Sequence, residues 1–395
     1  MTAPVTGLLT RLLGRLPIGW LQLTHNRGRL AAAIAGVAFA NVLVFMQLGF
    51  LGALISTIRL PYQALAADLL VLASDANTLQ DGSPLPRQRM LEALSVPGVA
   101  AATALHYGRL DWKQPDGTVR TLDVLGVDPR ARSFSLRAIE RQRDLLTLSR
   151  AALLDSGTRN VPPAVFEAIA AGQTLHFEAG GRAVDVVGTF HIGGGFSADG
   201  YLVVSDQTFL KLFPQRSAGA PNIVLLRAEP GTDLDALARR LRAVLPASDS
   251  AVRTVAEAVA RDQRFQTTQR PVGVIFGFGV AMGALVGIII VYQVLSTDVA
   301  DHLREYATFK AIGYGQRFFL GIVFEEAVIL ALLGFIPGSL VATGLYALVT
   351  AAVGLPVSMD GFRLAGVLLG TIAMCTLSGA VATRRLARAE PAALF

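Results

Sequence analysis

Four long runs without a charged residue constrain this chain more than any other feature of its sequence. The runs are Leu30–Ile58, Pro271–Thr297, Ala327–Met359 and Leu364–Thr383. A helix of roughly 20 apolar residues crosses a bilayer, so each run is long enough to do so. Composition agrees, because only 16% of the 395 residues are charged, against about 25% in an ordinary soluble domain. The sequence therefore predicts a membrane α-helical fold with four transmembrane helices.

The predicted crossings define the domain boundaries. The four helices occupy residues 29–58, 271–297, 318–350 and 364–383, and the third of them includes Glu325 and Glu326. As helices, the first two uncharged runs would be about 40 Å long, which exceeds the roughly 30 Å hydrocarbon core. These two helices therefore either tilt or continue beyond the membrane as a stalk.

Arginine placement predicts the orientation. Residues 1–28 contain arginines and no acid, and the tail 384–395 contains three arginines and one glutamate. The positive-inside rule then places both ends and the loop 298–317 in the cytoplasm, with residues 59–270 and a short loop 351–363 on the outer side. Arg11, Arg15 and the leucines around them fit an amphipathic helix on the cytoplasmic face. The alternative is that this segment extends the first crossing.

Residues 59–270 combine strand and helix patterns, which indicates an α+β domain. We predict four buried strands, at Asp68–Ala73, Ala183–Phe190, Tyr201–Ser205 and Asn222–Arg227. We also predict helices at Arg87–Leu94 and Leu234–Leu245, the second capped by Thr232 or Asp233. Residues 154–164 are a possible division into two lobes, and the polar run 251–270 would be the returning arm of a stalk.

The sequence contains few motifs typical of nucleotide binding, metal binding or catalysis. A P-loop requires Gly-x4-Gly-Lys-Ser/Thr, and none of the three lysines follows a glycine. The scattered histidines lack metal-ligand spacing, and arginines at the cytoplasmic face account for much of the net charge of +6 without a nucleic acid. We expect no catalytic residue, no metal and no cofactor in this chain. Any ATP would be hydrolysed by a partner.

One glycine-rich segment, His191–Gly200, has an enzyme-like composition. A nucleophile elbow needs Gly-x-Ser-x-Gly, but the segment Gly195-Phe-Ser197-Ala-Asp199 lacks the closing glycine. Since the segment joins two predicted strands, we interpret its glycines as turn residues.

Two further patterns lie inside the predicted crossings. The second crossing has small residues at helical spacing, which favour close packing either across a dimer axis or against the first crossing; they are Gly273, Gly277, Gly279, Gly283 and Gly287. Glu325 and Glu326 lie one to two turns inside the third block. Because intramembrane charges are costly, these glutamates should lie near the inner interface or face a protein interior, with a role in packing or coupling.

The charged island 298–317 resembles the signature of FtsX/MacB-type ABC transporter permeases. The resemblance rests on Leu303-Arg-Glu-Tyr-Ala-Thr-Phe-Lys-Ala-Ile-Gly313, on Glu325 and the Gly/Pro-rich 334–338 that follow it, and on the tail Arg384–Leu394. Three outer segments, Ala67–Leu72, Val187–Asp206 and Phe209–Phe213, are similar to the DevC branch of heterocyst-glycolipid-exporter-like permeases.

The resemblance implies a type VII, MacB-like permease in a bacterial inner membrane, with a large α+β periplasmic domain inserted between helices 1 and 2. It implies a homodimer that works with a DevA-, LolD- or MacB-like ATPase, which would bind ATP and Mg²⁺. It also implies a DevB/HlyD-like membrane-fusion adaptor and a TolC-like outer-membrane channel, for export of a lipid-like or other amphiphilic substrate.

The resemblance also assigns residues. The loop would dock on the ATPase through Asp301, Arg304, Glu305 and Lys310, while Ala311 and Gly313 would allow close approach. Two alternatives remain. One is an FtsX-like, non-transporting regulator of a periplasmic cell-wall hydrolase, and the other is a membrane-anchored hydrolase that uses Ser197 and His191.

Overall fold

A computed structural model describes residues 17–114, 117–302, 308 and 312–387. The chain divides into two compact units. We call residues 52–273 and 350–356 the sheet domain, and the remaining described residues the helical unit. Each unit is described by itself.

The helical unit is built from long apolar helices. Its helices are α1 Ile18–His25, α2 Arg27–Ala64, α9 Pro271–Asp301, α10 Gln316–Val353 and α11 Gly361–Ala387. The end of α2, the start of α9 and the end of α10 belong to the sheet domain. Four of these helices are long and apolar enough to cross a membrane, over Arg27–Ala64, Pro271–Thr297, Arg317–Val353 and Gly361–Ala382. This confirms the prediction of four membrane helices. The predicted amphipathic segment lies largely in residues 1–16, outside the described residues.

The helical unit has an apolar core that contains both small and large residues. Ala33 and Val37 of α2 meet Leu295 of α9, Ala327 of α10 and Cys375 of α11 in one buried cluster. Small residues let helix backbones approach closely, which is how helices associate where lipid tails are as apolar as the side chains.

The described residues of the sheet domain form nine strands in one sheet, in the order β5-β6-β4-β7-β3-β2-β8-β1-β9. The strands are β1 Leu69–Ala73, β2 Val99–Lys113, β3 Val119–Val127, β4 Ala151–Asp155, β5 Leu175–Ala179, β6 Arg182–Phe190, β7 Gly200–Ser205, β8 Ile223–Ala228 and β9 Ser250–Thr254. The helices are α3 Gln88–Leu94, α4 Arg137–Gln142, α5 Pro163–Ala170, α6 Asp206–Leu212, α7 Leu234–Val244 and α8 Val255–Thr268, with a 3₁₀ helix at Arg143–Thr147. The predicted α+β class is confirmed.

Both faces of the sheet are covered. Leu70 and Leu72 of β1 belong to one core with Tyr62 at the end of α2, while Leu69 and Val71 belong to another with Leu237 of α7. A strand buried on both faces has no polar alternation, which explains why β1 and β7 are continuous apolar runs and were predicted within one residue of their ends.

Two predictions need correction. The segment 154–164 does not divide the domain, because β4 overlaps it and pairs with both β6 and β7 within the single sheet. The run 251–270 is not one helical arm: it begins inside β9, continues as α8 and breaks before Pro271, where α9 starts. Thr254 ends β9 and caps α8 in a capping box with Glu257, so strand and helix meet without a linker.

Candidate functional site

The described part of the loop between α9 and α10 includes a turn at Ile312 and Gly313. The amide of Ile312 donates a hydrogen bond to the carbonyl of Thr308 at 3.1 Å, the i to i−4 spacing of an α-helix. Gly313 follows with φ +104°, a left-handed conformation that glycine adopts without a steric penalty and that commonly ends helices. Ile312 is 70% exposed. The loop therefore presents an apolar side chain beside a backbone turn that a larger residue would strain.

The other predicted docking residues divide into two groups. Arg304, Glu305, Lys310 and Ala311 lie outside the described residues. Asp301 ends α9, and its carboxylate pairs with the guanidinium of Arg29 near the start of α2 at 2.5 Å. The Asp301 side chain is 59% exposed, so screening by solvent limits the stability that the pair supplies. Its effect is to join the end of α9 to the beginning of α2.

The two glutamates of α10 face the short helix α1. Glu325 and Glu326 are buried, with 6% and 0% of their surface exposed. The Glu325 carboxylate accepts a hydrogen bond from the backbone N–H of Trp20 in the first turn of α1 at 3.3 Å. Helix N-termini attract negative charge, and the first turn has amides without intrahelical partners. Glu325 therefore caps α1 from a different helix.

Gly19 makes this approach possible. A Cβ at Gly19 would lie 2.9 Å from Cγ of Glu326 and 3.0 Å from the carbonyl oxygen of Ile322. Both distances are shorter than ordinary carbon contacts, so any larger residue would push α1 away from α10. Sequence reasoning singled out the glutamates and missed their partner, because only the structure brings residues 19 and 325 together.

The glycines of α9 pack mainly within the chain. Cβ atoms at Gly279, Gly283 and Gly287 would approach Gln47, Val44 and Ala40 of α2. Gly287 also faces the sulfur of Met374 on α11. Gly277 has open space around it, and Gly273 lies against the backbone of residues 266 and 267. For three of the five glycines, the structure thus favours packing against the first crossing over packing across a dimer axis.

The glycine-rich loop 191–199 of the sheet domain is held by one buried carboxylate. Asp155, at the end of β4, accepts hydrogen bonds from the backbone amides of Gly157, Ile192 and Gly193 at 2.8, 3.0 and 2.8 Å. Burial raises the pKa of Asp155 above its usual range, while these amide donors oppose the shift. A Cβ at Gly193 would have only Leu60 within 4 Å, but its φ of +100° favours glycine. These contacts support the interpretation of the segment as a structural turn.

His191 does not form a hydrolase arrangement with this aspartate. Its Nδ1 lies 3.2 Å from Oγ of Ser156 and 4.0 Å from Oδ1 of Asp155, so both neighbours are on the same ring nitrogen. A catalytic triad needs the acid and the nucleophile on opposite nitrogens of the imidazole. Ser197 lies elsewhere in the loop, exposed and followed by the buried Ala198.

Comparison with known families gives two matches. Residues 277–391 match the model of the FtsX-like permease C-terminal region. Residues 30–244, more than half of the chain, match the model of the MacB-like periplasmic core domain. The chain belongs to the family of FtsX- and MacB-like permeases. Family membership and the four apolar helices together fit a multi-pass membrane protein with a MacB-like periplasmic domain, and a family of this kind implies an ABC ATPase partner in general.

Two solved structures are similar to about half of this permease. The periplasmic region of MacB from Actinobacillus actinomycetemcomitans is 11% identical, with a TM-score of 0.32, and the match covers 49% of this chain and 91% of that one. The extracellular domain of the ABC-type transporter YknZ from Gram-positive bacteria is 13% identical, with a TM-score of 0.31 and a coverage of 48% and 99%. Comparison with curated proteins gives no match.

Proposed function

We propose that this permease is the membrane subunit of a type VII ABC exporter, that it transmits motion between a cytoplasmic ATPase and its periplasmic domain, and that it belongs to the DevC branch. The observation that carries the proposal is the turn at Gly313. It lies between two membrane helices of an FtsX-like permease region, and it presents an exposed apolar residue beside a backbone that a partner can approach closely.

Helix length supports transmission. α2 contains 38 residues and α9 contains 31, which correspond to about 57 and 46 Å. Both exceed the roughly 30 Å hydrocarbon core of a bilayer. Such helices can carry a displacement at one membrane face to the other. The Arg29–Asp301 pair joins them at the end nearest the docking loop.

The remaining partners follow from the branch assignment. The proposed machine is a homodimer with a DevA-like ATPase, a DevB/HlyD-like adaptor and a TolC-like outer-membrane channel, and it exports a lipid-like or other amphiphilic substrate. Both termini and the Gly313 turn lie in the cytoplasm. The branch is supported by the sequence similarity of segment 187–206, which spans the end of β6, the loop held by Asp155, and β7.

The test compares two glycines that both lie in the left-handed region of φ. Gly313 and Gly117 both have positive φ, and a Cβ at either would meet nothing within 4 Å. We expect Gly313→Trp, and Glu305→Arg within the loop, to lower stimulation of the co-expressed ATPase almost to the basal rate. Gly117→Trp, at the tip of the β2–β3 hairpin, should leave the stimulation unchanged. Membrane insertion of each variant is the control, and full stimulation by both loop variants would disprove docking through this loop.

A second candidate is the FtsX-like regulator of a periplasmic cell-wall hydrolase, since the match over residues 277–391 is to an FtsX-like region. Purification from membranes separates the two candidates. An adaptor and an outer-membrane channel in the purified complex favour export, whereas a peptidoglycan hydrolase favours regulation.

A further inference from the structure

A cleft of about 300 Å³ in the sheet domain is lined by three arginines, which are Arg109 of β2, Arg216 of the loop between α6 and β8, and Arg270 immediately before α9. Asp81 lines the same cleft. Its Oδ1 is already occupied by the backbone amides of Asn77 and Thr78, at 2.9 and 2.7 Å. The lining therefore carries a surplus of positive charge.

Two of the arginines have guanidinium N–H groups that are available to a ligand. The guanidinium of Arg216 makes no hydrogen bond or ion pair with any other residue that the structure describes. Arg270 is 3.9 Å from Oδ2 of Asp81, longer than a hydrogen bond, and its side chain is 51% exposed. Its guanidinium lies 5.1 Å from the ring centre of Phe265, an attraction that positions the group without using its donors.

The third arginine is fixed in place. Nε of Arg109 donates to the buried carboxylate of Asp123 at 3.1 Å, and its second nitrogen donates to Gln80 at 2.9 Å. One side of a planar guanidinium is thus held, while 45% of the side chain remains exposed. Arginine is well suited to phosphate and carboxylate groups, which it binds through two parallel donors.

A smaller slot, with both apolar and polar side chains in its walls, adjoins the cleft and shares Gln80 and Tyr107 with it. Leu54, Ile58 and Phe196 contribute to its walls, and its volume is about 40 Å³. Asp262 also lines the slot, where it accepts a hydrogen bond from the hydroxyl of Tyr62 at 2.9 Å. A space of this size admits the first carbons of a hydrocarbon tail and excludes a bulky group.

We infer that the arginine cleft binds the anionic head of an amphiphile, a phosphate or a related oxyanion, with the start of its hydrocarbon tail in the adjoining slot. The inference rests on the proposed export function, for which it names the substrate class. Ile58 belongs to α2, one of the helices long and apolar enough to cross a membrane.

The experiment measures binding to the full-length permease in nanodiscs of neutral phosphatidylcholine, with empty nanodiscs subtracted. The probes are radiolabelled dodecyl phosphate, dodecanol and inorganic phosphate. We expect dodecyl phosphate to bind most tightly. The double variant Arg216→Gln/Arg270→Gln should weaken its binding about tenfold or more, because charge-assisted hydrogen bonds are lost. Arg109 stays unchanged, since its removal would leave the buried Asp123 without its charged partner.

Arg239→Gln is the matched control. Arg239 is exposed on α7 and outside the cleft, so dodecyl phosphate should bind this variant within about twofold of the wild type. Equal binding of dodecyl phosphate to the double variant and the wild type would overturn the inference. Inorganic phosphate binding as tightly as dodecyl phosphate would overturn the amphiphile assignment. Dodecanol binding that equals dodecyl phosphate binding would overturn the role of the arginines.

The ATPase test at Gly313 keeps the two proposals apart. Suppose that Gly313→Trp abolishes stimulation of the ATPase, while dodecyl phosphate binds equally well to the wild type and to the double arginine variant. The cleft assignment then fails and the transmission function stands. Suppose instead that the double arginine variant binds dodecyl phosphate more weakly, while the loop variants still stimulate the ATPase fully. The docking proposal then fails and the cleft remains a binding site.

Discussion

At the scale of single residues, Asp262 is a buried carboxylate whose ionisation affects the stability of the sheet domain. It is 5% exposed on α8, and its carboxylate accepts a hydrogen bond from Tyr62 at the end of α2. Burial raises the pKa of Asp262 to about 6, from a usual value of 3.8. The folded state therefore holds a proton on Asp262 at pH values where the unfolded chain has released it.

This shift predicts a pH dependence with a definite sign. Between about pH 4 and 6 the folded state binds more protons at this site, so its contribution to the free energy of unfolding falls as the pH rises. We expect wild-type protein to melt at a higher temperature at pH 5 than at pH 7.5. Asp262→Asn, which keeps an acceptor for Tyr62, should reduce that difference.

Asp128→Asn is the control for this measurement, since Asp128 is exposed and, among the described residues, its carboxylate accepts a hydrogen bond only from the nearby amide of Arg130. It should leave the difference between the two melting temperatures intact. An equal pH dependence in wild type and Asp262→Asn would show that Asp262 titrates normally in the folded protein.

At the scale of elements, α1 is a short helix that depends on its neighbour. Its eight residues are too few for stability in isolation, and its N-cap, Pro17, makes no side-chain hydrogen bond. The Glu325 carboxylate provides the missing cap, and the close approach at Gly19 packs α1 against α10. α1 therefore follows any displacement of the first turns of α10, which begin just after the Gly313 turn.

We predict that Glu325→Ala loosens α1 without unfolding the membrane helices. Loss of a capping carboxylate costs about 1 kcal/mol, equivalent to about fivefold faster amide exchange in residues 18–25. Glu325→Gln retains an acceptor and should show a smaller effect. Hydrogen–deuterium exchange by mass spectrometry measures both variants. Unchanged protection of α1 in Glu325→Ala would mean that Glu325 does not hold it.

At the scale of the whole molecule, the elements that could be predicted from the sequence are those with a clear local hydrophobic pattern. The four membrane helices and β1, β7 and β8 are apolar runs, and their patterns needed no partner to be recognised. β2 was missed because it is half-buried and carries Arg109, Asp111 and Lys113 on a strand of 15 residues. The arginine cleft was missed for a related reason: residues 109, 216 and 270 are brought together only by the sheet.

Packing of the four long helices gives a prediction that separates two glycines of α9. Gly287→Leu would force a side chain between Ala40 of α2 and Met374 of α11, and overpacking of this kind costs about 1–3 kcal/mol. Gly277→Leu enters open space. We expect the first variant to lower the melting temperature in detergent and the second to leave it unchanged. Equal losses in both would contradict this packing of α9.

The two ends of the sheet domain leave it side by side. β1 follows α2 and β9 precedes α8, and the two strands pair antiparallel, with Leu69 opposite Thr254 and Ala73 opposite Ser250. A pull that separates α2 from α8 therefore acts at one end of a five-residue ladder and opens its hydrogen bonds one after another, as in a zipper. A pull on both helices in the same direction leaves that ladder unloaded. The domain should therefore resist a force that moves α2 and α8 together far better than a force that separates them.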